Sequence, residues 1–228
     1  MTVSPKLQTG IFIEELKNRF LCTVNVDGEI VTCYIPSSCR LSNFMDLSGK
    51  QVLLKPTRTH NSRTSFSVYA IKRRSSFILL NLSEANSIVC NEIGTRRFAY
   101  LGKRNRVTRE YSIGDYRADL FLHESQTLVE IKGILAFDKI ATFPTVHSER
   151  AERQLQYISE LLDKGYKASY VIVSMSPCVQ EIQINQGMPV FYALFCECIK
   201  KGMTAQAVTI SLKDDIPKIK KTIKVSYS

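Results

Sequence analysis

The sequence predicts an α/β (α+β) protein, with a small N-terminal β-barrel followed by an α/β domain around a central mixed sheet. Short segments of alternating apolar and polar residues, separated by turn residues, occupy the first third of the chain. Residues 148–164 carry apolar side chains at helical spacing, and the all-apolar run 168–175 is typical of a strand buried in a sheet. Together these patterns predict two domains, which we place at residues 1–78 and 79–228.

The first domain is predicted to be mainly β structure. A short helix is expected around Ile11–Arg19, and the Asp27-Gly28 pair is a strong hairpin signal. The predicted strands are Phe20–Val26, Glu29–Ile35, Gln51–Pro56 and Ser65–Lys72. Strands of this length and spacing favour an OB-like barrel, a fold that often carries nucleic acid on one face. The alternative is a small β-domain that only flanks the second domain.

The second domain is predicted to alternate helices and strands. Ser148 is an N-cap candidate for its clearest helix, and Gly165 suits the end of that helix. The predicted elements are a helix from Ser83 to Glu92, the helix Ser148–Lys164, the strand Ala168–Met175, the helix Val190–Lys201 and the strand Ala205–Ile210. The Lys-rich tail from Lys213 is expected to be loosely held.

Composition narrows the class of protein. The chain has 228 residues, of which 44% are hydrophobic, and this is ordinary for a globular protein. It contains no apolar run of the ~18–20 residues that span a bilayer, so no membrane partner is expected. The seven cysteines include no Cys-x-x-Cys pair, which favours reduced thiols in a cytoplasmic protein. Cys196 and Cys198 are expected to pack rather than bind metal.

The formal net charge of +10 is unevenly distributed along the chain. Lys72-Arg73-Arg74 forms one basic cluster, and a second contains Arg96, Arg97, Lys103, Arg104, Arg106 and Arg109. Such a field attracts phosphate backbones, so DNA or RNA is the predicted partner. The alternative interpretation is a basic face that is simply solvated.

Two acids and a lysine form the most informative motif. Asp119 in Arg117-Ala118-Asp119 is followed, after ten residues, by Glu130-Ile131-Lys132. Both segments read as strands joined by a short polar turn, and Glu130 and Lys132 share a strand face because they are two residues apart. With Asp119 opposite them, two carboxylates and an ammonium would converge, a set suited to Mg²⁺ and to phosphodiester cleavage. A chance occurrence of this short pattern is the alternative.

The chain resembles the sugar fermentation stimulation protein A (SfsA) family. The matching segments are Arg19-Phe20-Leu21, Asp27-Gly28-Glu29, Asn81-Leu82, Asn86, Gly114 through Asp119, Glu130-Ile131-Lys132, Phe143-Pro144 and Glu149-Arg150. The resemblance implies an OB-fold joined to a PD-(D/E)XK nuclease-like domain. Thr145, Ala151 and Gln154 depart from the family's flanking residues, so the chain resembles a divergent member.

The resemblance also implies roles for individual residues. Asp119 and Glu130 would hold Mg²⁺ or Mn²⁺ with the carbonyl of Ile131, and Lys132 would position water or stabilise charge on the phosphate. A third acid is expected on the preceding helix, with Glu92 as the first candidate and Glu84 as the second.

Further residues are candidates for contact with nucleic acid. The predicted set is Arg19, Arg73, Arg74, Arg96, Arg97, Lys103, Arg104, Arg106, Arg117, Arg150 and Gln154. Tyr111 and Tyr116 would either stack on bases or pack in the core.

Two principal functions remain open from the sequence. The first is a Mg²⁺-dependent nuclease, and the second is a non-catalytic, DNA-binding regulatory protein that keeps the nuclease fold. The acid-x-Lys motif favours the first, and the altered flanking residues favour the second. A metal-binding or interaction protein without a nucleic-acid role is the third and weakest alternative.

Overall fold

The fold comprises two β-sheets and three α-helices in a computed structural model that describes residues 6–36, 40–43, 45–57 and 62–227. The first-sheet strands are β1 Gln8–Glu15, β2 Leu21–Val26, β3 Glu29–Tyr34, β4 Gln51–Pro56, β5 Phe66–Arg73 and β6 Ser76–Leu79. The second-sheet strands are β7 Val107–Ile113, β8 Tyr116–Leu122, β9 Thr127–Ile134, β10 Ile140–Phe143, β11 Lys167–Ser174, β12 Glu181–Ile184, β13 Thr204–Lys213 and β14 Ile216–Ser226. The helices are α1 Glu84–Glu92, α2 Glu149–Asp163 and α3 Pro189–Lys200.

Strands β1 to β5 form the OB-like barrel that the sequence predicts. The strand order is β3-β2-β1-β4-β5-β6, and a parallel pairing between β3 and β5 closes the barrel. Asp27 and Gly28 both have positive φ in the predicted hairpin between β2 and β3. The barrel interior is filled by alternating inward residues such as Phe12, Val24 and Leu54, all of which are buried.

The predicted helix around Ile11–Arg19 is wrong. Most of this segment belongs to β1, which lies between β2 and β4. Phe12 points into the barrel whereas Ile11 is exposed, so burial here follows the two-residue period of a strand. The tertiary requirement for a strand between β2 and β4 overrides the local apolar pattern, as is common for weak local preferences.

The second sheet is mixed, as predicted, with strand order β10-β12-β14-β13-β11-β9-β8-β7. Helices α2 and α3 cover one face, where Leu155, Phe191 and Phe195 join the core. Helix α1 and part of the barrel cover the other face, where Ile88 and Tyr69 are buried with Val171. Ser148 caps α2 by accepting a hydrogen bond from Ala151 N, as the sequence predicts.

The expectation of a loosely held tail after Lys213 is also wrong. Residues 216–226 form β14, which lies inside the sheet between β12 and β13. Ile219 and Ile223 are buried while the lysines between them are exposed or half-buried. In the sequence, the lysines around Ile219 and Ile223 make this segment read as a charged tail rather than as a strand.

The two sheets are joined by direct contacts. Leu79 N in β6 donates to Met175 O, which follows β11, and Tyr69 Oη donates to Glu84 Oε2 at the start of α1. The predicted boundary after residue 78 falls inside β6 and stays a prediction. Across the described ranges, no helix is both long and apolar enough to cross a membrane.

Candidate active site at the β8–β9 fork

The strands β8 and β9 separate at Asp119. They pair from Leu122 and Thr127 as far as Leu120 and Val129, and no pairing continues beyond that point. Asp119 Oδ2 instead accepts a hydrogen bond of 2.7 Å from Ile131 N. The carboxylate therefore satisfies a backbone donor that regular strand pairing leaves open. We call Asp119, Glu130 and Lys132 the fork.

The edge strand is irregular at the same level. Glu110, which lies opposite Asp119 in the β7–β8 register, has a φ of +52° and is left out of the pairing. Ala118 packs in the core under α2 and α3, whereas Leu120 packs in the core under α1. Residues two apart on a regular strand share a face, so the packing of Ala118 and Leu120 on opposite faces shows that the alternation breaks at Asp119. This break lets the Asp119 carboxylate reach Ile131 N.

Glu130 is a buried acid with only 1% of its surface exposed. Its Oε1 accepts from Lys132 Nζ at 2.6 Å, and its Oε2 accepts from Tyr116 Oη at 2.7 Å. Burial raises the pKa of Glu130, and Asp119 raises it further, while Lys132 and Tyr116 oppose this shift. The carboxylate is thus costly to ionise, and its two hydrogen-bond donors offset part of that cost.

Lys132 links Glu130 to helix α2. As predicted from their spacing, Glu130 and Lys132 lie on one side of β9, and Lys132 Nζ also donates to Gln154 Oε1 at 2.7 Å. Its side chain is 24% exposed, so the ammonium lies between the buried acid and solvent. Gln154 thereby helps to position this ammonium, and its predicted contact with nucleic acid stays a prediction.

Two further residues donate hydrogen bonds to the acids of the fork. Asn86 Nδ2 donates to Asp119 Oδ1 at 2.7 Å from helix α1, and Tyr116 holds Glu130 from β8. The sequence offered Asn86 only through the family resemblance and left Tyr116 between stacking and packing. Tyr116 is buried and is therefore excluded from stacking on a base; Tyr111 packs against Phe121, with ring centroids 4.4 Å apart.

The structure does not bring the expected third acid to the fork. Glu92 accepts from Ile219 N at 2.7 Å and pairs with Arg97 at 3.3 Å, so it fastens α1 to β14. Glu84 instead binds Lys55 and Tyr69 of the barrel. Throughout the described part of the chain, no group of three or more His, Cys, Asp or Glu side chains is placed to hold a metal. The helix residue in contact with Asp119 is the amide Asn86.

A buried hydroxyl lies on the neighbouring strand. Tyr170 pairs in register with Glu130, is fully buried, and its Oη has no hydrogen-bond partner among the described residues. Burial raises the pKa of Tyr170 well above its ordinary value, and the charges of Glu130 and Asp119 raise it further. Buried polar atoms are normally paired, so this hydroxyl marks a polar region whose hydrogen bonding the protein alone does not complete.

Three of the predicted nucleic-acid-binding arginines are engaged by the protein itself. Arg104 donates to the carbonyls of Ile93 and Gly102, and Arg97 pairs with Glu92. Arg73 pairs with Asp138 at 3.2 Å. These guanidinium groups hold loops in place, a use of arginine that sequence clustering cannot distinguish from phosphate binding.

The other predicted basic residues lie on the surface. Arg117 pairs with Glu110 across the edge of the sheet at 3.6 Å, and Arg19 lies over the Phe20 ring. The exposed members of the predicted set are Arg19, Arg74, Arg96, Lys103, Arg106, Arg117 and Arg150. Phosphate contact stays a prediction for these residues and for Arg73, Arg97 and Arg104.

The fold and the fork together define an OB-like barrel joined to a mixed α/β domain with an acid-x-Lys site. Family models match both parts: the SfsA N-terminal OB domain over residues 16–80, and the sugar fermentation stimulation protein RE domain over residues 83–215. The chain belongs to the sugar fermentation stimulation protein (SfsA) family.

Individual relatives agree with this assignment. A sugar fermentation stimulation protein homolog of Saccharolobus solfataricus is 30% identical, with 91% of this chain and 80% of the relative covered. The homolog of Methanobrevibacter smithii is 26% identical over 85% of this chain and 86% of its own length. The structure of Pyrococcus furiosus SfsA in complex with Ca²⁺ matches with a TM-score of 0.78 at 20% identity, covering 99% of this chain and 98% of that one.

Proposed function

We propose that this protein binds nucleic acid and hydrolyses its phosphodiester bonds at the β8–β9 fork, with Mg²⁺ or Mn²⁺ as cofactor. The observation that carries the proposal is the convergence of Asp119, the buried Glu130 and Lys132 at the point where two strands separate. A buried, ionisable acid with a raised pKa beside a lysine is costly to maintain, and such groups concentrate at functional sites.

The oxygen ligands at the fork fit a hard divalent cation. Asp119 and Glu130 would hold it with the carbonyl of Ile131, and the Asn86 amide offers a neutral oxygen if its orientation is reversed. The unpaired Tyr170 hydroxyl lies on the same side as Glu130 and adds a polar group nearby. The Ca²⁺ complex of the Pyrococcus furiosus relative supports cation binding in this fold. A bound cation would polarise a phosphoryl oxygen and acidify water.

Lys132 would stabilise negative charge that develops on the phosphate. Glu130 and Gln154 each accept one hydrogen bond from its ammonium, which fixes Nζ beside the acids. An ammonium has three N–H groups, so one remains to be directed at a phosphate oxygen. Charge held in place before the reaction is the most effective form of electrostatic stabilisation.

The surface charge suits a polyanionic substrate. The net charge of +10 supplies sequence-independent attraction to phosphates. Arg117 is exposed on β8, which carries Asp119, and Arg150 is exposed on α2, which carries the Lys132 partner Gln154. These two arginines would contact the backbone on either side of the scissile phosphate.

One observation favours the alternative, a DNA-binding regulatory protein without efficient chemistry. The described residues bring two acids rather than three to the fork, and both carboxylates are already hydrogen-bonded by protein donors. The barrel and the positive charge serve both functions equally.

Cleavage of labelled single- and double-stranded DNA and RNA, in Mg²⁺, Mn²⁺ or EDTA, separates the two functions. The nuclease proposal expects metal-dependent cutting that Asp119→Ala and Lys132→Ala both abolish, while the matched surface variant Lys200→Ala still cuts. Salt-sensitive binding without cutting would establish the regulatory alternative. Absence of binding would contradict both.

The proposed site of action is the cytoplasm. Six of the seven cysteines lie in the described residues and all six are free, while Cys39 lies outside those residues. Burial raises the pKa of the Cys198 thiol to about 12, so this group is inert. Free, buried thiols suit a reducing compartment.

A further inference from the structure

An exposed aromatic pair, Phe20 and Tyr34, lies on the barrel at β2 and β3, in a part of the chain that carries none of the fork residues. The rings of Phe20 and Tyr34 are stacked with centroids 6.3 Å apart, yet the residues remain 36% and 40% exposed. The Arg19 guanidinium lies 4.7 Å from the centre of the Phe20 ring. Exposed aromatic rings do not improve solubility. Together with a neighbouring cation they form the combination on which bases stack.

The aromatic pair is one end of a longer surface on the barrel. Residues that face outward on β1, β2 and β3 are in register: Leu21 pairs with Tyr34, and Asn25 pairs with both Ile30 and Ile11. Ile30 is 70% exposed and Ile11 is 45% exposed. Tyr34 and Ile30 are four residues apart on β3, or about 13 Å along the strand.

The other end of this surface is cationic. Ile11 also lines a groove of about 420 Å³ that contains Lys50, Lys72 and Arg74. The surface therefore passes from stacked rings, across exposed apolar side chains, to three positive charges. We call it the barrel track.

One acid on this surface, Glu14, constrains how a ligand lies on it. Glu14 is exposed and pairs in register with Thr23, in the middle of the barrel track. A carboxylate there repels phosphates, so the middle is suited to bases and the Lys50–Arg74 end to the backbone. This arrangement favours a flexible strand whose bases are free to turn toward the protein.

We infer that the barrel track binds single-stranded nucleic acid, with bases stacked on Phe20 and Tyr34 and phosphates held by Lys50, Lys72 and Arg74. A duplex hides the faces of its bases within its own stack, so the aromatic pair discriminates in favour of single strands. The inference deepens the proposed function by naming the form of the substrate, and it rests on that function's nucleic-acid partner.

The chain contains no tryptophan, which permits a direct test of stacking. Phe20→Trp places a single fluorophore in the aromatic pair, and Val190→Trp places one on α3 at a residue that is 54% exposed. In EDTA, short oligothymidylate should quench the fluorescence of Phe20→Trp and leave Val190→Trp unchanged. Equal quenching in both variants, or none in either, would overturn the inference.

Affinity measurements separate stacking from simple apolar contact. By fluorescence anisotropy in EDTA, the double variant Phe20→Ala/Tyr34→Ala should bind the single strand at least ~10-fold more weakly, given the usual worth of base stacking. Phe20→Tyr should retain affinity, whereas Phe20→Leu should lose it. Thermal melting verifies that each variant is folded. Unchanged affinity in the double variant, or tighter binding of duplex than of single strand, would contradict the barrel track.

These measurements use neither metal nor cleavage, so their outcome is independent of the fork. Stacking by a native protein that does not cut in Mg²⁺ or Mn²⁺ would mean that the nuclease proposal has failed. Metal-dependent cutting without stacking would mean that the barrel track has failed.

Discussion

The fork and the barrel track differ in how their polar and apolar groups are arranged. At the fork, Glu130 is almost completely buried and every oxygen of the two acids has a donor within 2.7 Å. On the barrel track, Phe20, Tyr34 and Ile30 are aromatic or apolar yet exposed. Both arrangements oppose the ordinary distribution of charged residues outside and apolar residues inside. Under the two proposals, the fork would carry the chemistry and the exposed surface would capture the strand.

The largest expected effect comes from removing fork residues that act together. Asp119→Ala and Lys132→Ala should each lower the rate of cleavage by at least ~10²-fold, since in the proposed mechanism both would act on charge at the reacting phosphate. The double variant should be little slower than either single variant, because residues that act as a unit are not additive. Single-turnover rates measure this.

Additive losses in the double variant would show that the two side chains act separately. Full activity in either single variant would remove the fork from the mechanism.

Tyr116→Phe tests the hydrogen bond that holds Glu130. We expect a roughly 10-fold loss of rate and a loss of about 1–2 kcal/mol in the free energy of unfolding, since a buried acceptor loses its donor. Tyr116 lowers the pKa of Glu130, so the acid limb of the pH–rate profile should move to higher pH in the variant. Tyr111→Phe is the matched control. A pH profile that stays in place would reduce Tyr116 to a packing residue.

Glu130→Gln tests the cost of the buried carboxylate. Because burial raises its pKa, the folded chain binds more protons than the unfolded chain between the ordinary pKa and the folded pKa. The free energy of unfolding of the native protein should therefore fall as the pH rises through that window. At neutral pH, Glu130→Gln should be more stable than the native protein, because it removes the cost of burying a charge. The variant lacks the pH dependence, so this advantage over the native protein should shrink as the pH falls from neutral. Denaturant unfolding of both proteins across the pH range measures this difference in the free energy of unfolding. A difference in favour of the variant that grows at acid pH would contradict the expectation.

The smallest expected effect is on salt dependence. Lys50→Gln and Arg74→Gln on the barrel track should each weaken binding of single strands a few-fold and reduce the slope of log affinity against log salt by about 0.7. Lys200→Gln, an exposed residue of α3, is the control. Equal slopes in all three variants would place the phosphate contacts elsewhere.

Much of the fork was predictable from the sequence because its chemistry is local. Glu130 and Lys132 share a face through strand alternation, and a short polar turn brings Asp119 to the same level. Tyr116 and Gln154 were not assigned to their present partners, because their contacts depend on how β8 diverges from β9 and how α2 is placed against the sheet. These features are long-range and leave no periodic signal.

The errors in the fold have the same origin. β1 and β14 were misjudged because sheet pairing, rather than local preference, determines them; Ile219 and Ile223 are hidden among lysines. The role of Glu92 was also misplaced, since only the neighbouring β14 backbone reveals why α1 carries an acid there. The sequence shows where arginines cluster. It does not show which of their guanidinium groups bind carbonyls or carboxylates of the protein itself.

The most direct test of the fork is cation binding itself. Titration of the protein with Mn²⁺, followed by the loss of the free-ion electron paramagnetic resonance signal, measures binding without any substrate. The account predicts one site per chain that Asp119→Asn and Glu130→Gln each abolish and that strengthens as the pH rises and Glu130 ionises. Undiminished Mn²⁺ binding in both variants would contradict the central claim that these two carboxylates act on one cation.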